Sequence, residues 1–179
     1  MATARTIQNL ALIGFMGVGK SSVGQLVAKQ LRFEFLDTDK WIESAAGKSI
    51  PEIFAQDGEA AFRAHERRLV ERLGQLRKTV ISTGGGLSAN AENLASLKTH
   101  ALLVYLWASP EELCQRARQL KDRPLLAVSD PSARIKELLS VRSPYYRQAD
   151  VLVNTERRSM SEVAGHIVLQ FRLAQRAGE

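Results

Sequence analysis

The sequence contains a single cysteine, few aromatic residues and no long apolar run, and each scarcity argues against a class of protein. Cys114 has no partner for an internal disulfide, so a disulfide-stapled secreted domain is excluded and a reducing compartment is expected. No apolar run approaches the roughly 20 residues of a membrane span, so no association with a membrane is predicted. The short apolar stretch near the N-terminus runs straight into a glycine-rich loop, which is not the pattern of a signal peptide. These absences together predict a cytoplasmic protein.

Basic residues outnumber acidic ones, but their arrangement does not favour a nucleic acid as the partner. The chain has 25 Lys and Arg residues against 19 Asp and Glu, and its net charge of +6 attracts anions in general. The basic residues are scattered or paired, and only 6% of residues are aromatic, which leaves little surface for stacking on bases. Small phosphorylated metabolites are therefore the favoured anions.

Strand and helix patterns alternate along the chain, which predicts an α/β fold in one domain over residues 1–179. The length of 179 residues and the 45% hydrophobic content are typical of one globular domain. The polar stretch 118–132, with two prolines and several charges, is predicted to form a mobile lid. Strands are predicted at 7–13, 35–37, 79–82, 101–107 and 151–153, and helices at 21–31, 40–46, 51–56, 59–76, 91–97, from 110 onward, at 132–142 and at 161–176.

Residues 14–21, with the sequence GFMGVGKS, match the phosphate-loop pattern G-x-x-x-x-G-K-[ST]. The backbone N–H groups of such a loop, and the positive end of the helix that follows, hold phosphate oxygens. Lys20 supplies a charge to the β- and γ-phosphates, and the Ser21 hydroxyl is a ligand for Mg²⁺. Because the chain is too short for a nucleic-acid motor and has no N-K-x-D motif, kinases of small metabolites remain. The predicted ATP-binding residues of the loop are Gly17, Val18, Gly19, Lys20, Ser21 and Ser22.

Two carboxylates, Asp37 and Asp39, stand two residues apart where the second predicted strand ends. A strand that ran through both would point the two side chains the same way. A carboxylate can orient an acceptor hydroxyl and accept its proton, as phosphoryl transfer to an alcohol requires. The alternative is that this segment caps the helix after Lys40.

A series of short motifs is spread along the chain: GFMGVGKS at 14–21, LDTD at 36–39, IESAAGKSIPEIFAQDGEAAFRAHE at 42–66, STGGG at 82–86, RPLL at 123–126 and RSPYYRQAD at 142–150. In this order and at these spacings the chain closely resembles the shikimate kinase family over nearly its whole length. The resemblance implies a nucleoside-monophosphate-kinase-like, three-layer α/β sandwich with a five-stranded parallel sheet and a mobile lid. It also implies transfer of the ATP γ-phosphate to the 3-hydroxyl of shikimate, a step in chorismate and aromatic amino-acid biosynthesis.

The same resemblance implies which residues perform the transfer. Asp39 faces the shikimate hydroxyls and Asp37 lies on the magnesium side with Ser21. Arg123, in the lid, contacts the transferred phosphate and joins Lys20 and Asp39 as the catalytic residues. The substrate-binding region covers about 37–66.

Shikimate carries a carboxylate, and an arginine can hold a carboxylate with two parallel hydrogen bonds. Arg63 and Arg142 match the carboxylate-binding arginines of the family, and Glu66, three residues after Arg63 on a helix, is expected to hold Arg63 in place. In the family's triple-glycine turn the absence of side chains lets the substrate ring approach backbone N–H groups. The matching residues are Gly84, Gly85 and Gly86.

For the adenine, Arg116 matches the family's stacking arginine, with Arg118 as a close competitor. Arg158 corresponds to another residue near the base. Some relatives have proline where Met160 stands, so the details of the adenine pocket are left open.

Two other functions compete with this interpretation. Another metabolite kinase of the same fold, such as a gluconate-type kinase, would also act on an anionic polyol. A nucleotide-dependent regulatory protein without transfer activity would lack Asp39 or Arg123, and both are present. The expected partners are shikimate, ATP and Mg²⁺, and the protein is expected to be a monomer that binds no nucleic acid.

Overall fold

This computed structural model describes residues 5–117 and 128–176. Five parallel strands form one sheet in the order β2-β3-β1-β4-β5. The strand bounds are β1 (Asn9–Ile13), β2 (Glu34–Asp37), β3 (Thr79–Ser82), β4 (Ala101–Trp107) and β5 (Val151–Asn154). The predicted α/β class and five-stranded parallel sheet are confirmed.

Helices surround this sheet, and most of them begin or end within a few residues of the predicted limits. A short 3₁₀ turn at Leu87–Ala89 precedes α5. The helices are α1 (Lys20–Leu31), α2 (Thr38–Ala46), α3 (Ile50–Gln56), α4 (Gly58–Leu73), α5 (Ala91–His100), α6 (Pro110–Ala117), α7 (Pro131–Tyr146) and α8 (Met160–Arg176). Within the described residues, none of these helices is long and apolar enough to cross a membrane.

The central strands form the core of the protein. Every residue of β1 and β3 is buried, as are the first six residues of β4. Such continuous burial is typical of parallel strands that are covered by helices on both faces. Since the strands are parallel, their carboxyl ends meet at one edge, where Asp37 pairs with Ser82 and Leu12 pairs with the same serine. The loops that leave this edge build the site described below.

Three predictions need correction or fall partly outside the described residues. Helix α2 begins at Thr38, not at Lys40, so Asp39 belongs to a helix and not to a strand. Helix α7 begins at Pro131, so the last two residues of the predicted lid are helical, and the helix passes Pro144 to reach the buried Tyr146. The lid residues 118–127, with Arg118 and Arg123, lie outside the described residues.

Candidate active site

The phosphate loop is a turn that only glycines allow. Gly14, Gly17 and Gly19 have φ angles of 137°, 77° and 98°, which side chains other than hydrogen disfavour. A Cβ on Gly14 would also collide with the carbonyl oxygen of Leu106. Since Gly19 gives α1 no side-chain cap, the first N–H groups of this helix are suited to an anion.

Lys20 lies inside this loop with only 7% of its surface exposed. Its ammonium group donates to the carbonyl of Gly14 at 3.0 Å and to that of Phe15 at 2.8 Å. These bonds fix a positive charge against the loop, where the sequence pattern places phosphates. Val18 is buried, so the loop offers its backbone, and not this side chain, to a ligand.

Three oxygen-bearing side chains meet beside the loop. The Ser21 hydroxyl donates to Oδ2 of Asp37 at 2.6 Å and lies 3.2 Å from the Ser82 hydroxyl. The other carboxylate oxygen of Asp37 caps α2 by accepting from the backbone N–H groups of Asp39 and Lys40. Asp37 is therefore a helix cap, as the alternative interpretation predicted, and its second carboxylate oxygen contacts Ser21.

Oxygen donors of this kind suit Mg²⁺, which uses one or two carboxylates together with water and substrate phosphates. Among the described residues, no group of three or more His, Cys, Asp or Glu side chains could hold a metal by itself. Ser21 and Asp37 thus fit a magnesium ion that arrives with a nucleotide. Ser82 was not predicted as a site residue. It is the last residue of the predicted strand 79–82, and the end of a parallel strand is where site residues are expected.

Asp39 lies against the glycine turn, by which we mean residues 84–86. A Cβ on Gly84 would collide with Oδ1 of Asp39, so the carboxylate packs directly on the backbone of the turn. Gly84 donates its N–H to the hydroxyl of Thr38 at 2.7 Å. The N–H of Gly84 is therefore already used within the protein. Of the glycine turn, only the N–H groups of the other two glycines can be offered to a substrate.

Arg63 is held on α4 by two glutamates. Its Nη1 donates to Glu66 and its Nη2 to Glu59, both at 2.7 Å, which confirms the predicted pairing with Glu66. Burial raises the pKa of Glu66, and the neighbouring Arg63 and Arg142 oppose that rise. Burial lowers the pKa of Arg63, but the two glutamates outweigh it and the net shift is upward. The guanidinium is thus a fixed cation.

Arg142 projects from α7 to the other side of the glycine turn and is 95% buried, with 5% of its surface exposed. Its guanidinium lies 6.0 Å from the centre of the Phe15 ring. Nη1 is 3.5 Å from the position that a Cβ on Gly85 would occupy. Within residues 5–117 and 128–176, this nitrogen has no hydrogen-bond partner. A buried cationic donor without an acceptor indicates a place for an anionic ligand.

One cleft of about 460 Å³, including space open to solvent, brings all of the predicted substrate-binding residues together. Its polar wall consists of Asp39, Arg63, Glu66, Arg142 and the glycine turn, and its apolar wall of Met16, Ile50, Phe54 and Phe62. The sequence analysis did not predict the apolar wall. The cleft suits a small molecule that has an apolar face, hydroxyl groups and a negative charge.

The predicted adenine residues lie at the carboxyl end of β5. Arg116 on α6 donates to Glu112 at 2.8 Å and to the Thr155 hydroxyl at 3.1 Å, so its guanidinium is fixed there. Arg158 is exposed in the segment between β5 and α8. Arg118, the other predicted adenine residue, lies beyond the described part of the chain.

Comparison with known proteins gives a consistent result. The family described as Shikimate kinase matches residues 16–172. A shikimate kinase of Caldanaerobacter subterraneus subsp. tengcongensis is 43% identical over 92% of this chain and 96% of its own length. A shikimate kinase of Deinococcus radiodurans is 45% identical over 89% of this chain and 81% of its own length.

Solved structures agree with these relatives. A shikimate kinase from Acinetobacter baumannii in complex with shikimate has a TM-score of 0.89 and 38% identity, and the match covers 96% of both chains. A gluconokinase from Sinorhizobium meliloti 1021 has a TM-score of 0.63 and 19% identity over 97% of both chains, which shows a shared fold only.

Proposed function

This chain belongs to the shikimate kinase family, and we propose that it transfers the γ-phosphate of ATP to the 3-hydroxyl of shikimate, giving shikimate 3-phosphate and ADP. The observation that carries the proposal is the acceptor cleft. There the Asp39 carboxylate and two buried or half-buried arginines surround a space beside the phosphate loop. In biosynthesis the product would serve the formation of chorismate and the aromatic amino acids.

Each side of the cleft is chemically complementary to one part of the shikimate molecule. The carboxylate binds between Arg63 and Arg142, where Nη1 of Arg142 gains the acceptor that the described protein groups do not provide. The ring lies on the apolar wall, and the hydroxyl groups point towards Asp39. Arginine suits this role because its planar guanidinium pairs with both oxygens of a carboxylate.

The transfer step follows from this placement. The 3-hydroxyl oxygen of shikimate forms a bond to the γ-phosphorus, and the bond from that phosphorus to the β–γ bridging oxygen breaks, which releases ADP. Asp39 accepts the hydroxyl proton as the bond forms. Lys20 stabilises the negative charge on the phosphates from inside the loop.

Magnesium completes the site in this proposal. Ser21 and Asp37 would hold it, one through its hydroxyl and the other through the carboxylate oxygen that faces Ser21 at 2.6 Å. When bound, the ion would supply positive charge to the β- and γ-phosphates. By resemblance to the family, Arg123 contacts the transferred phosphate, and Arg116 and Arg158 lie near the adenine.

We propose that the enzyme acts in the cytoplasm. Its single cysteine indicates a reducing compartment, and the nucleotide that it uses is found there.

A coupled assay of ADP release tests the proposal, with shikimate as substrate and gluconate as the control. We expect turnover with shikimate and none above background with gluconate. Asp39→Asn keeps the shape of the side chain but removes its charge, so kcat should fall about 10²-fold, the usual scale for a general base. Preference for gluconate would instead support a gluconate-type kinase. A change confined to the KM for ATP would show that Asp39 is not at the acceptor.

A further inference from the structure

Two buried hydroxyl groups form hydrogen bonds with the backbone of the glycine turn. The Thr38 hydroxyl accepts the N–H of Gly84 at 2.7 Å. The Tyr146 hydroxyl donates to the carbonyl oxygen of Gly85. Thr38 and Tyr146 are both fully buried, and neither lines the acceptor cleft. The turn is therefore fixed from behind by residues that a substrate in the cleft does not touch.

Tyr146 also connects the turn to Arg142. The two residues are four positions apart on α7, which places them on the same face of the helix. The Tyr146 hydroxyl donates to Gly85 and lies close enough to the Arg142 guanidinium for that charge to oppose the rise in its pKa. Burial raises the pKa of Tyr146 to about 12, so the hydroxyl keeps its proton at neutral pH and remains a donor. The Tyr146 hydroxyl thus contacts the backbone of Gly85 and lies beside the Arg142 guanidinium.

We propose that Thr38 and Tyr146 are positioning residues for the acceptor substrate, because their hydroxyl groups fix the glycine turn and, through Tyr146, the carboxylate-binding Arg142. The inference rests on the proposed function, since it assumes that the cleft binds shikimate. It goes beyond that function by assigning a part of the binding to two residues outside the cleft.

Removal of the Tyr146 hydroxyl would leave buried polar groups without partners. If the Tyr146 hydroxyl were removed, the carbonyl of Gly85 would lose its side-chain donor and the guanidinium of Arg142 would lose the polar group beside it. Buried polar groups left without partners are costly, so the turn and the arginine would shift to find new ones. Such a shift would change the fit to the acceptor, whereas the phosphate loop is held by its own contacts from Lys20 to the carbonyls of Gly14 and Phe15.

Tyr146→Phe tests this directly, with Tyr105→Phe as the matched control. The Tyr105 ring centre lies 5.3 Å from that of Tyr146, and Tyr105 is also buried, but within the described residues no hydrogen bond joins its hydroxyl to the turn. We expect Tyr146→Phe to raise the KM for shikimate about tenfold, on the scale of one lost hydrogen bond and one orphaned group, with the KM for ATP unchanged. Tyr105→Phe should stay within about twofold of the wild type for both substrates.

A second pair of variants tests the other anchor and remains informative if Tyr146→Phe fails to fold. Thr38→Val removes the hydroxyl at nearly constant shape and should raise the KM for shikimate, whereas Thr38→Ser, which keeps the hydroxyl, should restore it. Tyr146→Phe should also have a smaller effect in an Arg142→Ala background, because part of its action passes through that arginine.

Calorimetric titration with shikimate separates the two possible failures. If the wild type binds no shikimate, the proposed function is wrong and this inference falls with it. If the wild type binds and phosphorylates shikimate but the Phe and Val variants match it, the proposed function stands and the positioning role is refuted. Equal losses for shikimate and ATP would also refute it, since they indicate a general structural defect.

Discussion

Gly84→Ala should separate catalysis from stability more cleanly than any change to a charged residue. A Cβ at this position would collide with Oδ1 of Asp39, at a distance well below the 3.0 Å that real Cβ atoms respect. None of the three turn glycines has a positive φ, so the backbone itself accepts alanine. The methyl group therefore acts on its neighbour and not on the conformation of the turn.

The size of the effect follows from which atom must move. The colliding oxygen is the far end of a side chain in the first turn of α2, so it can rotate away at little cost to folding. To regain an ordinary contact the carboxylate must shift by roughly 1 Å, and a misplacement of that size costs about 10²-fold in rate. We therefore expect kcat to fall about 10²-fold and the free energy of unfolding to change by less than about 1 kcal/mol.

The assay compares kcat, the KM for each substrate and the melting temperature on one preparation. Gly165→Ala is the matched control, because a Cβ there meets nothing within 4 Å and the position is in the middle of α8. This control should keep wild-type kinetics and gain up to about 1 kcal/mol of stability from the better helix propensity of alanine. Gly86→Ala would instead collide with Nη1 of Arg63 and should raise the KM for shikimate. A Gly84→Ala protein with normal kcat would refute the placement of Asp39 against the turn.

Four further outcomes are expected. Lys20→Ala should lose nearly all turnover in a protein that still folds, since its ammonium lies in the loop; normal ADP release would contradict the phosphate-loop assignment. Asp37→Asn should require about tenfold more Mg²⁺ for half-maximal activity, because hard cations prefer a charged oxygen, and an unchanged Mg²⁺ titration would count against this metal site. Arg142→Ala should weaken shikimate binding by about 1.5–3 kcal/mol in calorimetry and leave ATP affinity unchanged. Burial, with two nearby arginines, lowers the pKa of His100 in the folded protein. Its contribution to stability is therefore fully present above about pH 6.5, the ordinary pKa of histidine, and is lost as the pH falls below that value and through the lowered pKa; His100→Gln should flatten this dependence in melting curves, and an equally steep fall in the variant would exclude His100 as the cause.

Asp37 and Asp39 show which features of the site can be predicted from local sequence pattern and which cannot. The sequence correctly predicts that a strand ends at Asp37, with Asp39 two residues further on. Their orientation was predicted wrongly, because Asp37 caps α2 and the chain turns into a helix at Thr38. A side chain that can accept from the N–H groups two and three residues ahead competes with strand extension, and here the helix prevails. That turn separates the two side chains, with Asp37 towards Ser21 and Asp39 towards the glycine turn.

The apolar wall of the cleft could not be predicted from local pattern. Phe54 and Phe62 lie on consecutive helices, α3 and α4, and their rings approach to 5.1 Å between centres. In the sequence each is one apolar residue in an amphipathic helix, indistinguishable from a core residue. Whether such a residue faces the core or a cleft depends on how the two helices pack, and that packing is a property of the whole fold.

The two glycine clusters of the site do different physical work, which the sequence alone does not reveal. In the phosphate loop Gly14, Gly17 and Gly19 have positive φ, so any other residue there would strain the backbone by about 1–2 kcal/mol whatever its size. In the glycine turn the backbone is ordinary, and what matters is the space taken by Asp39 on one side and Arg63 on the other. Substitutions in the loop should therefore damage folding and nucleotide binding together, whereas substitutions of Gly84 and Gly86 should damage the acceptor site.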